Sequence, residues 1–321
     1  MQYVELHCRS NFSFLEGAAH PDELVQRAAD LGYRGIAITD RESIAGVVRG
    51  YGPANDLGLQ YIVGSEVHPI DAPAMVLWPT DRAAYGRLCR LLSRGRMRAA
   101  KGRCELKFDD IAELAEGILA GVIPDAPEAG SDNKPEVWER PLRAFLRGPF
   151  RDVFADRRYV LAELLRGVDD AAKVAWLREL SVACDAPLVA AGDVRYHTAD
   201  RQALHDCLTA IAQGTTVEQI DAQRLSNAQH HLRERNEIAM LYRDLPRAVE
   251  RTLEIAGRCC FDLSDLKYEY PKEVAPEGKT PIEHLKRLAW EGARQRWPEK
   301  VPEKVIDALR HEVNLIEDLK Y

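Results

Sequence analysis

The chain has 321 residues, 46% of them hydrophobic and 30% charged, with a formal net charge of −7. That composition belongs to a globular protein, long enough for one large α/β domain and a smaller appendage, and it excludes disorder-biased and fibrous chains. No apolar run approaches the ~20 residues of a membrane span, and Met1–Glu5 has neither the basic start nor the apolar core of a signal peptide. Cys8, Cys89, Cys104, Cys184, Cys207, Cys259 and Cys260 are odd in number and scattered, which reads as reduced thiols in a cytoplasmic protein.

Tyr3–Cys8 alternates as a strand does. His20-Pro21-Asp22-Glu23 opens a helix with proline in its first turn, Leu24, Ala28 and Leu31 share a face, and Gly32 ends it. Gly35–Thr39, Gln60–Val67 and Ala74–Trp78 read as strands, Arg82–Arg94 as a helix and Gly117–Ile123 as a strand. Pro124–Pro149, rich in Pro, Gly and charge, reads as an irregular insertion. Tyr159–Leu164 is strand-like, Asp169–Cys184 helical and Pro187–Ala191 strand-like. Strand followed by helix, repeated, predicts parallel strands wrapped by helices, as a barrel or an open α/β sheet.

After Ala199 the pattern turns helical: Leu204–Gln213, Arg235–Tyr242, Leu245–Cys260, Pro281–Arg296 and Pro302–Leu319. Lys272–Lys279 reads as a linker. The last helix reaches Tyr321 without a capping glycine or polar tail, as in a chain cut from a longer protein. The expected division is a barrel domain over 1–200, a helical extension over 201–271, and a linker with further helices over 272–321.

Three strands end in charged residues. The first carries His7-Cys8-Arg9, the next Thr39-Asp40-Arg41, and a later one Asp193-Val194-Arg195; Gly64-Ser65-Glu66 marks another. His7, Glu66 and Asp193 at C-terminal strand ends converge on one mouth of a barrel, where carboxylates and imidazoles suit a di- or trinuclear metal site for phosphoester hydrolysis. These motifs resemble the PHP (polymerase and histidinol phosphatase) domain, which opens on an HxH strand, continues through Thr-Asp-His and Gly-x-Glu, and closes on Asp-x-His. Glu16, in Phe14-Leu15-Glu16-Gly17-Ala18-Ala19, sits in that family's acidic ligand position. Val4–Leu15, Ala191–Val194, Asp206–Ile211 and Leu266–Pro271 resemble the error-prone branch of the DnaE-type DNA polymerase III alpha subunits along the whole chain.

The resemblance implies a distorted (β/α)7 barrel followed by an all-helical segment that leads into a polymerase core. It also implies damage-induced translesion synthesis in the SOS response, DNA as substrate, and a sliding clamp and accessory mutagenesis proteins as partners, with no membrane. The palm aspartates and the magnesium of such a polymerase would lie beyond Tyr321, so this chain is expected to hold no catalytic residue of polymerisation.

The metal chemistry looks withdrawn. Arg9, Arg41 and Arg195 stand where imidazoles would be expected, and a guanidinium has no lone pair for a metal. No histidine occurs between His68 and His197. The expectation is a salt-bridge cluster in place of metal, in which Arg9, Arg41 and Arg195 pair with Glu16, Asp40, Glu66 and Asp193. The alternative is a residual site on His7, Glu16, Glu66 and Asp193, rescued by His68 or His197. It would hold manganese or zinc and act as a metal-dependent 3′–5′ exonuclease or phosphoesterase. His230 and His231 read as surface or packing histidines. Separately, Arg82–Arg103 holds eight basic residues and no acidic one. Arg87, Arg90, Arg94, Arg96 and Arg98 oppose an apolar face of Leu88, Leu91 and Leu92, either as a solvated face or as a contact for DNA or a partner.

Overall fold

Strand β1 (Val4–Cys8) is buried along its length and pairs in parallel with β2 (Gly35–Ile38), which pairs in parallel with β3 (Gln60–Val63). Helices α1 (Pro21–Asp30) and α2 (Val47–Asp56) make the two crossovers that parallel pairing requires. The computed structural model describes residues 1–124, 135–220, 224–266, 275–276 and 278–319. A second sheet has the order β4 (Ser65–Val67), β5 (Met75–Pro79), β6 (Ile118–Val122), β7 (Arg158–Glu163) and β8 (Leu188–Ala191).

The two sheets join at both edges and close a ring. At one edge β3 runs into β4 through Gly64, whose N–H donates to the carbonyl of Ile38 at 3.0 Å. At the other, Arg9 N–H donates to the carbonyl of Val194 at 2.8 Å and Val194 N–H to that of His7 at 2.9 Å. Gln60–Val67 is thus one strand bent at Gly64, and with it counted once the ring has seven members. A Cβ at Gly64 would lie 2.9 Å from both the Leu77 carbonyl oxygen and Thr39 Cγ2, so this bend needs glycine.

Strand direction corrects the expectation of uniformly parallel strands. β5 runs antiparallel to both β4 and β6, whereas β6, β7 and β8 are parallel. Only residues 68–74 separate β4 from β5, too few for the crossover of a dozen or so residues that would restore direction. α3 (Arg82–Arg98) and α4 (Phe108–Glu113) precede β6. The segment read as an irregular insertion contains α5 (Pro135–Arg147), which buries Leu142 and Leu146, and α6 (Pro149–Phe154); residues 125–134 lie outside the described residues. Pro141 stands within α5, and such prolines hid its apolar spacing.

α7 (Asp170–Cys184) lies between β7 and β8, and α8 (Gln202–Gln213), α9 (Arg235–Leu241) and α10 (Pro246–Arg258) follow. One apolar cluster fills the space between ring and helices. A second fills the ring, with Val4, Leu6, Ala37, Ile62, Trp78 and Leu161 among its members, and it includes Ile255, Ala256 and Cys259 at the end of α10. Thr252 Oγ1 accepts from Val4 N–H at 3.3 Å, the carbonyl of Ala256 from Gln60 Nε2 at 2.7 Å, and the carbonyl of Leu188 from Arg251 Nη1 at 2.9 Å. α10 therefore seals the end of the barrel where the strands begin and leaves the opposite end as the mouth.

Residues 1–266 form one compact unit and 267–321 another. In the second, α11 (Pro281–Arg296) packs on α12 (Glu303–Asp318). The Leu266–Pro271 motif from residue 267 onward, and half of the Lys272–Lys279 linker, lie outside the described residues.

Candidate functional site

The mouth begins with an irregularity in β1. Between Glu5 and Cys8 this strand has one residue more than β2 opposite it, a bulge that re-aims side chains. Leu6 joins the barrel interior, Cys8 joins the outer layer, and His7 is left among the acids of the mouth. Glu5 holds the bulge in place: its Oε1 accepts from the N–H groups of Leu6 (3.0 Å), His7 (3.1 Å) and Gly192 (2.9 Å). Burial raises the Glu5 carboxyl above its ordinary pKa in spite of those donors.

Arg9 is the centre of the site and is only 7% exposed. Its Nη1 lies 3.2 Å from Glu16 Oε2, its Nη2 pairs with Asp193 Oδ1, and its Nε lies 3.2 Å from Glu66 Oε2. The last contact is an ion pair without hydrogen-bond alignment. Arg41 Nη1 meets the other oxygen of Glu16 at 2.8 Å, and Arg195 Nη2 meets Asp193 Oδ2 at 3.1 Å. Asp193 also lies 3.1 Å from His230 Nδ1 through the same Oδ2. Its backbone is in the left-handed region, φ 43°, as is that of Leu15 beside Glu16, φ 64°, a conformation uncommon outside glycine and concentrated where side chains must be aimed.

His7 lies between two carboxylates, Nδ1 at 2.6 Å from Glu163 Oε1 and Nε2 at 2.9 Å from Glu66 Oε2. Ionised carboxylates only accept, so both ring nitrogens donate and the imidazole is protonated. Burial opposes that charge, but the hydrogen bonds to Glu163 and Glu66 outweigh it and raise the pKa to about 10. Burial likewise pushes Glu66 and Asp193 up, and Arg9 wins in both, helped by Arg195 at Asp193, holding them well below the usual carboxylate range. Four anions, Glu16, Glu66, Glu163 and Asp193, thus face four cations, Arg9, Arg41, Arg195 and His7.

Asp40 corrects the expected cluster, because among the described residues it pairs with no arginine. Its Oδ1 accepts from Ser10 N–H at 2.7 Å and Ser13 Oγ at 2.8 Å, and its Oδ2 from Ser10 Oγ at 2.8 Å. It is fully buried, and burial raises its pKa over the serine hydrogen bonds. It pins the loop after β1, while Arg41, next in sequence, reaches Glu16. Of the two rescue histidines, His68 Nε2 bonds Glu66 Oε1. Among the described residues nothing links His197 to the cluster; burial lowers its pKa, and its charged surroundings are Glu23, Arg201, Arg27 and Asp200. Glu163 went unread in the sequence, and His230, read there as a surface or packing histidine, is buried against Asp193. Glu163 was detectable as a lone acid ending the apolar strand Tyr159–Leu164. His230 was not: it comes from a distant loop brought in when Arg195 N–H donates to its carbonyl at 2.9 Å.

Three arginines of α3 meet acids that follow them in sequence. Arg87 pairs with Glu116, Arg94 with Glu113 (2.7 Å) and Asp110 (3.4 Å), and Arg98 with Asp110 (2.7 Å). Arg96 donates to the Glu42 carbonyl at 2.9 Å. Among the described residues Arg90 alone of the five has no such partner.

The PHP domain family matches residues 5–137, from β1 to the start of α5. Residues 5–137 are a PHP domain. Over 321 residues the chain is 71% identical to the error-prone DNA polymerase of Rhodopirellula baltica, covering 100% of this chain and 28% of that protein. It is 41% identical over 320 residues to the error-prone DNA polymerase of Pseudomonas paraeruginosa, covering 99% and 30%. The chain therefore spans less than a third of the length of these relatives. Among solved structures it is similar to an amidohydrolase of Chromobacterium violaceum (TM-score 0.45, 14% identity, 60% of this chain and 88% of that one). Endonuclease Q of Pyrococcus furiosus is another (TM-score 0.39, 15% identity, 60% and 48%).

Metal-dependent chemistry is a property of the PHP family. The donor set of this mouth does not fit it. The three carboxylates left at the ligand positions, Glu16, Glu66 and Asp193, all spend oxygens on Arg9, and a cation brought to them would meet its guanidinium. His7 offers no lone pair while both ring nitrogens donate. Among the described residues no group of three or more His, Cys, Asp and Glu is arranged to hold a metal ion.

Proposed function

We propose that this chain is the N-terminal part of an error-prone DNA polymerase and that its PHP domain is a structural module, braced by arginine–carboxylate pairs in place of metal. The 71% identity along the whole chain supports the first half. The observation that carries the second is the Arg9 guanidinium among Glu16, Glu66 and Asp193. A bidentate donor with fixed positive charge does for these acids what a divalent cation does in an active site, neutralising and orienting them, but it activates no water. Synthesis on damaged DNA, with magnesium, a sliding clamp and accessory mutagenesis proteins, is in this reading the work of the longer polypeptide, in the cytoplasm.

The test is metal analysis of the purified chain by mass spectrometry after manganese and zinc loading and desalting, with melting curves recorded with and without chelator. The expected result is far less than one ion per chain and superimposable melting. Stoichiometric, tightly held metal together with hydrolysis of a primer 3′ end would overturn the structural reading in favour of an exonuclease. For the polymerase half, the full-length protein is expected to extend a primer in magnesium, and inertness there would refute it.

A further inference from the structure

The loop that leaves β1 for α1 has two differently directed side chains. Glu16 is taken up in the mouth by Arg9 and Arg41. Phe14, two residues earlier, is 83% exposed. Beside it lies a cavity of about 270 Å³ walled by Leu15, Leu204 and Leu208, with Arg201 and Glu23 at its lip. Those two form an ion pair, so the lip carries no net charge with which to attract phosphate. Asn11 Oδ1 and His20 Nδ1, on two further lining residues, are both shut off from solvent, so neither turns a polar atom into the cavity. Along α8 the apolar surface continues through Leu204, Leu208 and the exposed Ile211, the spacing of one helix face.

Neutral lip and apolar walls together describe the receptor for a large aromatic side chain, tryptophan and tyrosine being the usual anchors of a protein interface. The volume is just short of the ~300–1,000 Å³ of small-molecule sites. We propose that this cavity receives a tryptophan or tyrosine from the polypeptide that follows residue 321 in the full-length protein. The proposal rests on the polymerase reading above: coverage of 28–30% of the relatives leaves more than two thirds of such a polypeptide outside residues 1–321. A tethered segment acts at an effective concentration of order mM, so one anchor suffices where a free partner would need a wider surface.

The experiment is photo-crosslinking in the full-length protein with p-benzoylphenylalanine replacing Phe14, the crosslinked peptides being mapped by mass spectrometry. The expected product joins position 14 to a Trp- or Tyr-containing segment after residue 321 of the same polypeptide, and it is lost in Leu204→Glu, whose melting is unchanged. Crosslinks between two copies, to DNA alone, or to nothing overturn the proposal. Primer extension on the same preparation separates the two levels. Extension without the crosslink ends the docking proposal and leaves the polymerase reading standing; no extension removes that reading and this proposal with it.

Discussion

Arg9 touches Glu16, Glu66 and Asp193 at once, so its loss strands buried carboxylates. Arg9→Ala is expected to destabilise the protein by ~3–5 kcal/mol, the cost of breaking a buried pair from one side, and to lower Tm on the order of 10 °C. Arg195→Ala should cost less, because Arg195 is 23% exposed and Asp193 retains Arg9 and His230. Unchanged melting in both variants would remove this account. His7 sets the pH dependence. Its pKa is about 10 when folded and ~6.5 when unfolded. The stability it contributes is therefore complete below about pH 6.5 and is lost as pH rises through about 10. Urea midpoints should fall between about pH 7 and about pH 9 more steeply for the parent than for His7→Gln, a difference on the order of a few kcal/mol by linkage; parallel profiles would contradict a protonated His7. The strand-end motifs made His7, Arg9, Glu66 and Asp193 legible, because chemistry at a strand end is written locally. His230 was illegible because only tertiary folding carries it to Asp193. Asp40 was misassigned because neighbours at a strand end diverge, so Asp40 and Arg41 serve different partners.

At the scale of elements, period and length showed where helices and strands lie but not which way a strand runs. β5 reads from its residues like any other buried strand; its direction is set by the brevity of residues 68–74. The bend at Gly64 has a direct check. Gly64→Ala places a methyl group 2.9 Å from the Leu77 carbonyl oxygen and is expected to cost ~1–3 kcal/mol by overpacking, read as a lower urea midpoint; a parent-like midpoint would mean that the bend relaxes freely. The basic stretch teaches the same lesson about context. Within 82–103 there is no acid, yet Asp110, Glu113 and Glu116 fold back on α3. Hydrogen bonds from Arg98, above all, hold the Asp110 carboxyl below its ordinary range. Asp110→Asn with Glu113→Gln frees Arg94 and Arg98, and fluorescence anisotropy should show tighter, salt-sensitive binding of single-stranded DNA than the parent. Equal affinity would show that the pairing does not mask this face.

At the scale of the molecule, the compact unit is larger than the matched domain. The PHP match ends at 137, but α10, at 246–258, fills the floor of the barrel, so the unit runs to 266. Residues 1–266 should melt cooperatively as a fragment, whereas residues 1–245 should show secondary structure without a cooperative transition, by calorimetry and near-ultraviolet circular dichroism. Cooperative melting of the shorter piece would reduce α10 to an ornament. The central arginine has a consequence of another kind. Occupancy of a metal site obeys mass action: it rises and falls with the free ion, and the stability it lends varies as the logarithm of that concentration. The cation at this mouth is joined to β1 by its own covalent bonds. Its local concentration is fixed when the strand folds, and neither dilution, a chelator, nor scarcity of any solute can withdraw it.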